Sequence, residues 1–224
     1  MNTATINRAK TTPPLTGDWN HESWQNANTI KIDQFRPEGG DHRPTTEVMV
    51  LYDNHGIHLI FKVQDKYVRS IQTELNSPVC SDSCVEFFVK PKQDKGYLNF
   101  ELNCGGTLLA YYIEDCTRTS EGFAKSQALT KADAAQIGIY HSMPKTVEPE
   151  ITEPTIWTNQ LYIPFELLEK YVGKLDQIPE QTWRANFYKC GDKTSHPHWS
   201  SWNPVSELNF HLPGCFGAIQ FSNT

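Results

Sequence analysis

The chain has 224 residues and a formal net charge of −6, and 38% of its residues are hydrophobic, 21% charged and 12% aromatic. This length can bury a sizeable core and fits one large domain better than two. The negative charge argues against non-specific binding to nucleic acid, because that binding depends on clustered Lys and Arg that neutralise phosphates. No apolar run approaches the length that crosses a bilayer, so we expect no membrane-spanning segment and no membrane partner.

The cysteines and the N-terminal residues bear on the cellular compartment. The N-terminal stretch contains no apolar segment of the kind found in secretory signals, so the chain as written is expected to be cytoplasmic. It would be secreted or periplasmic if a leader had been removed. The six cysteines form no CxxC pair and are too sparse for a disulfide scaffold, so we expect buried or half-buried free thiols.

Short segments with two-residue periodicity dominate the chain after a polar, Pro-containing start. Residues 1–17 are interpreted as a flexible N-terminal lead-in, and residues 18–224 as a single domain. The clearest pattern, EVMVLYDNHGIHLIFKVQD (47–65), predicts two strands around a turn at residues 53–56. Asp, Asn and Gly in that turn tolerate the positive φ that hairpin loops often need.

Further predicted strands follow in chain order, with turn signals between them. They lie at residues 84–91, 97–103, 107–113, 137–141, 156–163, 184–190 and 215–221. The segment PFELLEKYV (164–172) alone is typical of a short helix, with Pro at its start and Gly173 after its end. Many short strands and one helix predict an all-β fold, an antiparallel β-sandwich of jelly-roll or immunoglobulin-like type.

Three of the predicted strands have one apolar and one polar face, because side chains alternate across a pleated strand. The polar faces carry the candidate binding residues Glu86, Asn99, Glu101, Asn103 and Arg184. Such a face is often simply solvated in antiparallel sheets. Asn, Glu, Arg and Tyr on rigid strands, however, supply fixed hydrogen-bond donors and acceptors, which favours a recognition site.

Several segments together resemble the family 9 carbohydrate-binding modules and, more closely, family-9-like domains with a DOMON-like β-sandwich. The segments are SDSCVEFFVKP, GYLNFELNCGG, WTNQLYIPFELL, RANFYKCGD and SWNP, and the resemblance runs from about Trp24 to Phe221. It implies a non-catalytic domain that binds a short sugar or oligosaccharide on the polar sheet face, in polysaccharide catabolism. The partner that it implies is a carbohydrate ligand. A glycoside hydrolase is a further possible partner, to which the domain would be an accessory.

The resemblance also assigns roles to particular positions. Glu86 falls on a carboxylate that hydrogen-bonds sugar hydroxyls. The Asn-x-Glu-x-Asn strand, with Asn99, Glu101 and Asn103, falls on a row of polar sugar contacts, although the middle position is an Arg in the best-known modules. We expect Arg184 on the third strand to add a further donor to the same face.

Aromatic rings are expected to complete the site, because a pyranose packs its C–H face on an aromatic ring. Trp202, in SWNP, falls on one of the family's two clamp tryptophans, and residues 79–80 (Val-Cys) hold the place of the other. Trp199 lies in the same long loop, where an exposed ring would need a reason. We therefore expect Trp202, with Trp199 beside it, to stack on the sugar.

Two metal sites are alternatives that the sequence leaves open, although no cofactor is expected apart from structural calcium. Family members often hold calcium, and Asp82 at the start of its strand is the candidate ligand, with a turn or strand-end cap as the simpler interpretation. His196 and His198 have a spacing that zinc sites use, but they flank a Pro in a loop, where histidines usually serve as hydrogen-bonding supports.

Two alternative functions also use the same fold. A haem-binding or protein-interaction module is one, with Met1, Met49 and Met143 as the candidate axial ligands. A glycoside hydrolase is the other, with two carboxylates about 5 to 9.5 Å apart. Asp82 and Glu86 are roughly 13 Å apart along one extended strand, whereas Glu86 and Glu101 on neighbouring strands come closer. We predict carbohydrate binding without catalysis in preference to both alternatives.

Overall fold

The computed structural model describes residues 1–223, and the last residue of the predicted domain, Thr224, lies outside the described residues. Strands make up most of the regular structure. They are β1 (Thr3–Arg8), β2 (Thr29–Lys31), β3 (Gln34–Phe35), β4 (Thr45–Tyr52), β5 (Gly56–Asp65), β6 (Val68–Ser70), β7 (Cys84–Lys90), β8 (Tyr97–Asn103), β9 (Leu108–Thr119), β10 (Gly122–Ala128), β11 (Gly138–His141), β12 (Val147–Ile151), β13 (Thr155–Pro164), β14 (Thr182–Cys190), β15 (Trp199–Ser201) and β16 (Gly217–Phe221).

The strands build two layers, which confirms the predicted β-sandwich. The front sheet has the order β10-β9-β8-β7-β14-β16-β1, with β15 added beside β14. The back sheet has the order β1-β4-β5-β13-β11, with β2 beside β4, and β6 pairs separately with β12. Phe87 and Phe100 of the front sheet and Phe61 and Trp157 of the back sheet are fully buried in one apolar cluster between the layers.

The first strand connects the two layers, in place of the flexible lead-in that we predicted for residues 1–17. β1 runs parallel to β16 over its first part and parallel to β4 over its last two residues, Asn7 and Arg8. All the other strand pairs of the described chain are antiparallel. Ile6 is buried in the main core, so this segment is part of the domain. Its sequence, TATINR, has too little apolar character to indicate a strand without its partners.

Within residues 1–223 there are two short α-helices, one more than the sequence predicted, besides three single 3-10 turns. The predicted helix, α2 (Phe165–Val172), follows Pro164 and ends before Gly173, which has a φ of +75° that favours glycine. The additional helix, α1 (Lys131–Ala134), is a single turn. It is stabilised by a capping box, in which the Thr130 hydroxyl accepts from the Asp133 backbone N–H and the Asp133 carboxylate accepts from the Thr130 backbone N–H. No helix within residues 1–223 is long and apolar enough to span a bilayer.

The register of the front sheet places the polar residues of its outer face. β7 lies between β8 and β14, so Glu86 is the direct cross-strand partner of Glu101 on one side and of Tyr188 on the other. Cys84 is likewise the direct partner of Cys190. Cross-strand partners and residues two positions apart share a face. These side chains therefore all point away from the core between the layers.

Candidate functional site

A cleft lies over the outer face of the front sheet. It consists of two adjoining cavities of about 330 and 310 Å³, which share the lining residues Cys80, Glu101, Arg118 and His211. The first is also lined by Glu86, Cys190, Asp192, Trp199, Leu208, Asn209 and Phe210. The second also takes in Pro78, Asn99, Leu109, Tyr111, Glu121, Gly122, Phe123 and Ser126. We call the two together the sheet cleft; each is large enough for a small ligand.

A pair of carboxyl groups forms the floor of the sheet cleft. Glu86 and Glu101 are buried, and as direct cross-strand partners they have Cβ atoms about 4.5 to 5.5 Å apart. Burial raises the pKa of Glu101 to about 7. Burial and the neighbouring charge of Glu101 raise the pKa of Glu86 well above its ordinary value. The pair therefore retains a proton near neutral pH, and it can both donate and accept hydrogen bonds.

Asn99 orients the second of these carboxyl groups. Its amide nitrogen donates to Glu101 Oε1 at 2.8 Å, and its amide oxygen accepts from the Tyr111 backbone N–H at 2.8 Å. Because both ends of the amide are bound, Asn99 and Glu101 are held in one arrangement before any ligand arrives. Such fixed polar groups are what a selective site for hydroxyl groups needs.

Aromatic side chains line one wall of the cleft. Trp199 is half-buried, and its indole N–H donates to Asp192 Oδ1 at 2.7 Å, which fixes the plane of the ring. Phe210 is also half-buried and stacks on Tyr188 with ring centres 4.1 Å apart. Both rings pack against the same small apolar cluster, which includes Cys190. They can therefore offer apolar surface beside the polar floor.

The other side of the cleft carries a cation and a neutral histidine. The Arg118 guanidinium lies 4.0 Å from the centre of the Phe123 ring. Phe123 in turn contacts the His211 ring at 4.5 Å, and the Tyr97 hydroxyl bonds to His211 Nδ1 at 2.9 Å. Burial lowers the pKa of His211 to about 3, so its ring is neutral. Burial also raises the pKa of Asp192, a further carboxyl group of the cleft.

Four of the seven predicted binding residues meet in the sheet cleft. They are Glu86, Asn99, Glu101 and Trp199. The structure does not bring Asn103, Arg184 or Trp202 into it. Most of the cleft's remaining walls come from residues 109–126 and 208–211. A strand was predicted for residues 107–113, but none of these wall residues was predicted as a site residue.

Asn103 has a structural role together with Asp82. The Asn103 amide nitrogen donates to Asp82 Oδ2 and to the Gln72 carbonyl at 2.9 Å each, and its oxygen accepts from the Thr107 backbone N–H at 2.8 Å. Asp82 Oδ2 also accepts from the backbone N–H groups of Ile71 and Gln72. The donors around Asp82 are thus N–H groups, whereas calcium prefers a cage of oxygens. This environment fits the strand-end cap better than the calcium site, and calcium binding stays a prediction.

Arg184 lies too far along its strand to reach the cleft. It precedes Cys190 by six positions on β14, which corresponds to roughly 20 Å of extended chain. Its guanidinium donates instead to the carbonyl of Phe216. The polar parity of Arg184 was predicted correctly, but its position along the strand excludes a contact with a ligand at the cleft floor.

Trp202 belongs to the core and does not form part of the site. Its backbone N–H donates to the Phe187 carbonyl at 2.9 Å, its ring contacts the Phe187 ring at 5.6 Å, and it is 7% exposed. Trp199 and Trp202 are three positions apart in an extended segment, so they point to opposite faces. Trp199 lines the cleft and Trp202 does not, so the expectation that both rings would stack on one ligand was wrong.

A buried polar cluster that the sequence analysis missed lies behind the sheet. Lys189 is fully buried, with its Nζ atom 3.3 Å from Asp65 Oδ2 and 2.6 Å from His198 Nε2. His42 Nε2 lies 2.7 Å from Asp65 Oδ1. Burial would raise the pKa of Asp65, but the charge of Lys189 and the hydrogen bond of His42 hold it below its ordinary value. Burial lowers the pKa of His198 to about 3.

This cluster accounts for the histidine pair that was an alternative zinc site. His198 faces the ammonium group of Lys189, and His196 stacks on Tyr67 with ring centres 3.6 Å apart. The two imidazoles thus have separate partners, as expected for supporting histidines. Lys189 shares the parity of Ala185 and Phe187, so a charged residue on the apolar face was the signal that could have revealed the cluster.

The candidate haem ligands also lie away from the cleft. Met49 is buried beside Trp24 and Leu51, Met143 packs against the main core, and Met1 is 75% exposed. None of the three lines the sheet cleft. Haem binding therefore receives no support from the cleft, and it stays an alternative from the sequence.

Comparison with known proteins identifies the family. The profile of carbohydrate-binding family 9 matches residues 21–221, which is most of the chain. The chain belongs to carbohydrate-binding family 9. This membership confirms the resemblance and the predicted class of function, because family 9 proteins are carbohydrate-binding modules, generally without catalysis. None of the curated proteins matches the chain.

Solved structures with the same fold include other family 9 modules. The chain is similar to a proposed carbohydrate-binding protein from Bacteroides uniformis, with 25% identity and a TM-score of 0.82 over 98% of this chain and 99% of that one. It also matches a family 9 module from Caldicellulosiruptor kristjanssonii, in complex with cellotriose (TM-score 0.66, 100% and 95% covered) and with glucose (TM-score 0.62, 98% and 96% covered). The identity with that module is 11%, so it shows the shared fold.

Proposed function

We propose that the sheet cleft binds a short neutral sugar and that the domain performs no chemistry on it. The observation that carries this proposal is the placement of two half-buried rings, Trp199 and Phe210, beside the buried carboxyl pair of Glu86 and Glu101. A sugar ring has an apolar C–H face and a rim of hydroxyl groups, so it needs both kinds of surface at once. The cleft supplies them within one cavity.

The charges of the cleft favour a neutral sugar over an acidic one. Four carboxyl groups line it, from Glu86, Glu101, Glu121 and Asp192, against the single guanidinium of Arg118. Burial raises the pKa of Glu86, Glu101 and Asp192, and a further negative charge beside these buried acids is unfavourable. A uronic acid would add such a charge. A neutral hexose instead offers hydroxyl groups that can donate to one carboxyl group and accept from its protonated neighbour.

The carboxyl pair does not by itself make the domain a hydrolase. Cross-strand neighbours such as Glu86 and Glu101 come near the spacing of retaining glycosidases. However, both side chains are less than 6% exposed at the floor of the cleft. A glycosidic bond would have to enter between them to be cleaved, and this burial leaves it no access. The proposed role of the domain in polysaccharide catabolism is therefore binding, as an accessory to a glycoside hydrolase.

A reducing compartment is proposed for the protein, because its six cysteines are all free thiols.

Isothermal titration calorimetry tests the proposal, beginning with glucose and cellotriose and adding glucuronic acid as the charged comparison. We expect binding of a neutral sugar, and at least about tenfold weaker binding after Trp199→Ala, since about 1.4 kcal/mol corresponds to a factor of ten. Trp19→Ala is the matched control, because Trp19 is also half-buried but lies over Lys62 on the back sheet. No heat with any neutral sugar, or equal losses in both variants, would contradict the assignment.

A further inference from the structure

Three metal-binding atoms converge at the floor of the sheet cleft. Cys84 Sγ, Cys190 Sγ and a carboxylate oxygen of Glu86 all lie within 4.8 Å of one another. The arrangement follows from the sheet, because Cys84 and Cys190 are direct partners on β7 and β14, and Glu86 follows Cys84 by two positions on the same face. Rigid strands therefore hold the three donors in place.

Sugar binding gives no reason for the two thiols. A thiol is a weak hydrogen-bond donor and acceptor, so it is a poor partner for a sugar hydroxyl. Cys84 is fully buried beneath the cleft and does not line it. Within residues 1–223, the Glu86 side chain accepts its hydrogen bond from the Cys190 thiol, at 3.1 Å. A carboxyl group that is 2% exposed and has a weakly bonding thiol as its partner is poorly satisfied in the metal-free chain.

The donor set matches one class of metal ion. Thiolate ligands select zinc and other soft or borderline ions over calcium and magnesium. In a tetrahedral zinc site with Zn–S bonds of about 2.3 Å, the donor atoms are about 3.5 to 4 Å apart. The distances between these atoms are within reach of that value by small side-chain rotations. We propose that Cys84, Cys190 and Glu86 form a mononuclear Zn²⁺ site that opens into the sheet cleft.

The position of the site leaves one coordination place for a ligand. Cys190 and Glu86 line the cleft, so a metal bound between them and Cys84 faces its open side. Three protein ligands with a fourth place open to water or to a small molecule is the arrangement of accessible zinc sites. The ion also brings positive charge to a floor that holds the buried carboxyl groups of Glu86 and Glu101.

The other comparable cluster of the described chain is already satisfied by a protein cation. His42, Asp65 and His198 also come within 4.8 Å of one another. There, the ammonium group of Lys189 lies 2.6 Å from His198 Nε2 and 3.3 Å from Asp65 Oδ2. A metal ion would have to displace a buried lysine that contacts two of its three ligands. In the thiol cluster, the same ammonium group donates to the backbone carbonyl of Cys190 at 3.0 Å, which leaves the thiol and carboxylate atoms themselves without an ammonium partner within residues 1–223.

Zinc binding at this site releases protons. A cysteine ligates zinc as the thiolate, so a thiol that is protonated in the metal-free chain must lose its proton on binding. Each thiol that ligates the ion loses its proton to solvent, so two protons leave as two Zn–S bonds form. The affinity for zinc consequently increases with pH.

Cobalt provides the first test, because Co²⁺ reports thiolate ligation by colour. The purified chain, kept reduced with a phosphine and stripped with a chelator, is titrated with Co²⁺ and then with Zn²⁺. We expect a sulfur-to-cobalt charge-transfer band that saturates at one ion per chain and disappears as zinc displaces cobalt. The double replacement of Cys84 and Cys190 by Ala should abolish the band. Glu86→Gln should weaken binding without removing the band.

Cys104→Ala is the matched control. Cys104 is as buried as Cys84, but its thiol donates to the Arg69 carbonyl at 3.5 Å, outside the cluster. This variant should bind cobalt like the parent chain. A band that survives the double replacement, or that Cys104→Ala removes equally, would show that the ion binds elsewhere. If the double variant fails to fold, X-ray absorption of the zinc-loaded parent chain decides, since a shell without two sulfur atoms overturns the proposal.

The zinc site and the sugar site can be tested separately. Calorimetry with glucose or cellotriose on the chelator-treated chain measures the sugar site alone, whereas cobalt binding without sugar measures the metal site alone. Loss of one signal therefore does not imply loss of the other. Absence of a charge-transfer band in a chain that binds sugar would reject the zinc site and leave the proposed function intact.

Discussion

Replacement of Glu101 by Gln should make the domain more stable at neutral and alkaline pH. Gln keeps the size of the side chain and can still accept the hydrogen bond from Asn99 through its amide oxygen. It removes a carboxyl group whose pKa is raised from 4.5 to about 7, mainly by burial. At about 1.4 kcal/mol per pKa unit, this difference corresponds to about 3 kcal/mol of unfolding free energy above pH 7.

The sign of the effect follows from proton binding. Between about pH 4.5 and 7, Glu101 is protonated in the folded chain and largely ionised in the unfolded chain. The folded state therefore binds more protons, and the unfolding free energy contributed by this group falls as the pH rises. Buried neutral histidines such as His198 and His211, whose pKa values are about 3, act in the opposite direction. Comparison of parent and variant cancels their contribution.

Chemical unfolding followed by tryptophan fluorescence measures the effect at about pH 5 and about pH 8. We expect the unfolding free energy of Glu101→Gln, measured relative to that of the parent, to rise by roughly 2 to 3 kcal/mol from about pH 5 to about pH 8. Glu153→Gln serves as the control, because Glu153 is exposed, and it should change little with pH. Parallel pH profiles for the parent and Glu101→Gln would refute the buried carboxyl pair and, with it, the closed floor of the sheet cleft.

Three further predictions concern residues outside the cleft floor. Trp202→Ala should cost about 3 to 5 kcal/mol of unfolding free energy because it empties a core position, whereas Trp199→Ala should cost less; urea unfolding of both compares them. Lys189→Met should cost about 3 to 5 kcal/mol, since it leaves Asp65 buried without its cation, and the Lys189→Met, Asp65→Asn pair should recover part of this in the same assay. Asn103→Ala should lower stability by about 1 to 3 kcal/mol without changing the sugar affinity of the folded chain by calorimetry.

The periodicity of the sequence was sufficient to predict the two layers of strands, but not to predict which residues line the site. The strands β7, β8 and β14 alternate so strongly between apolar and polar residues that their faces could be assigned correctly, and Glu86 and Glu101 do meet on the outer face. What alternation cannot show is distance along a strand. For that reason Arg184 was assigned to the site although it lies at the opposite end of β14 from Cys190.

The roles of Asn103 and Trp202 could not be predicted from the alternation within a single strand. Asn103 is polar and on the correct face, but its hydrogen-bond partners come from the turn at Thr107 and from the distant carbonyl of Gln72. For Trp202, the family position outweighed the alternation of the chain. Three positions separate it from Trp199, so both rings could not face one ligand, and this was visible in the sequence.

The second ring of the aromatic wall, Phe210, illustrates how a binding surface can be maintained by a different segment of the chain. By the resemblance, residues 79–80 hold the place of a clamp tryptophan, and of these two residues Cys80 lines both cavities of the sheet cleft. A small side chain there leaves open space, and Phe210 packs against the same apolar cluster as Cys80. Phe210 is itself fixed by stacking on Tyr188, a strand residue directly beside Glu86. The second ring of the aromatic wall is thus supplied by the chain after β15, and Glu86 lines the same cavity as both rings.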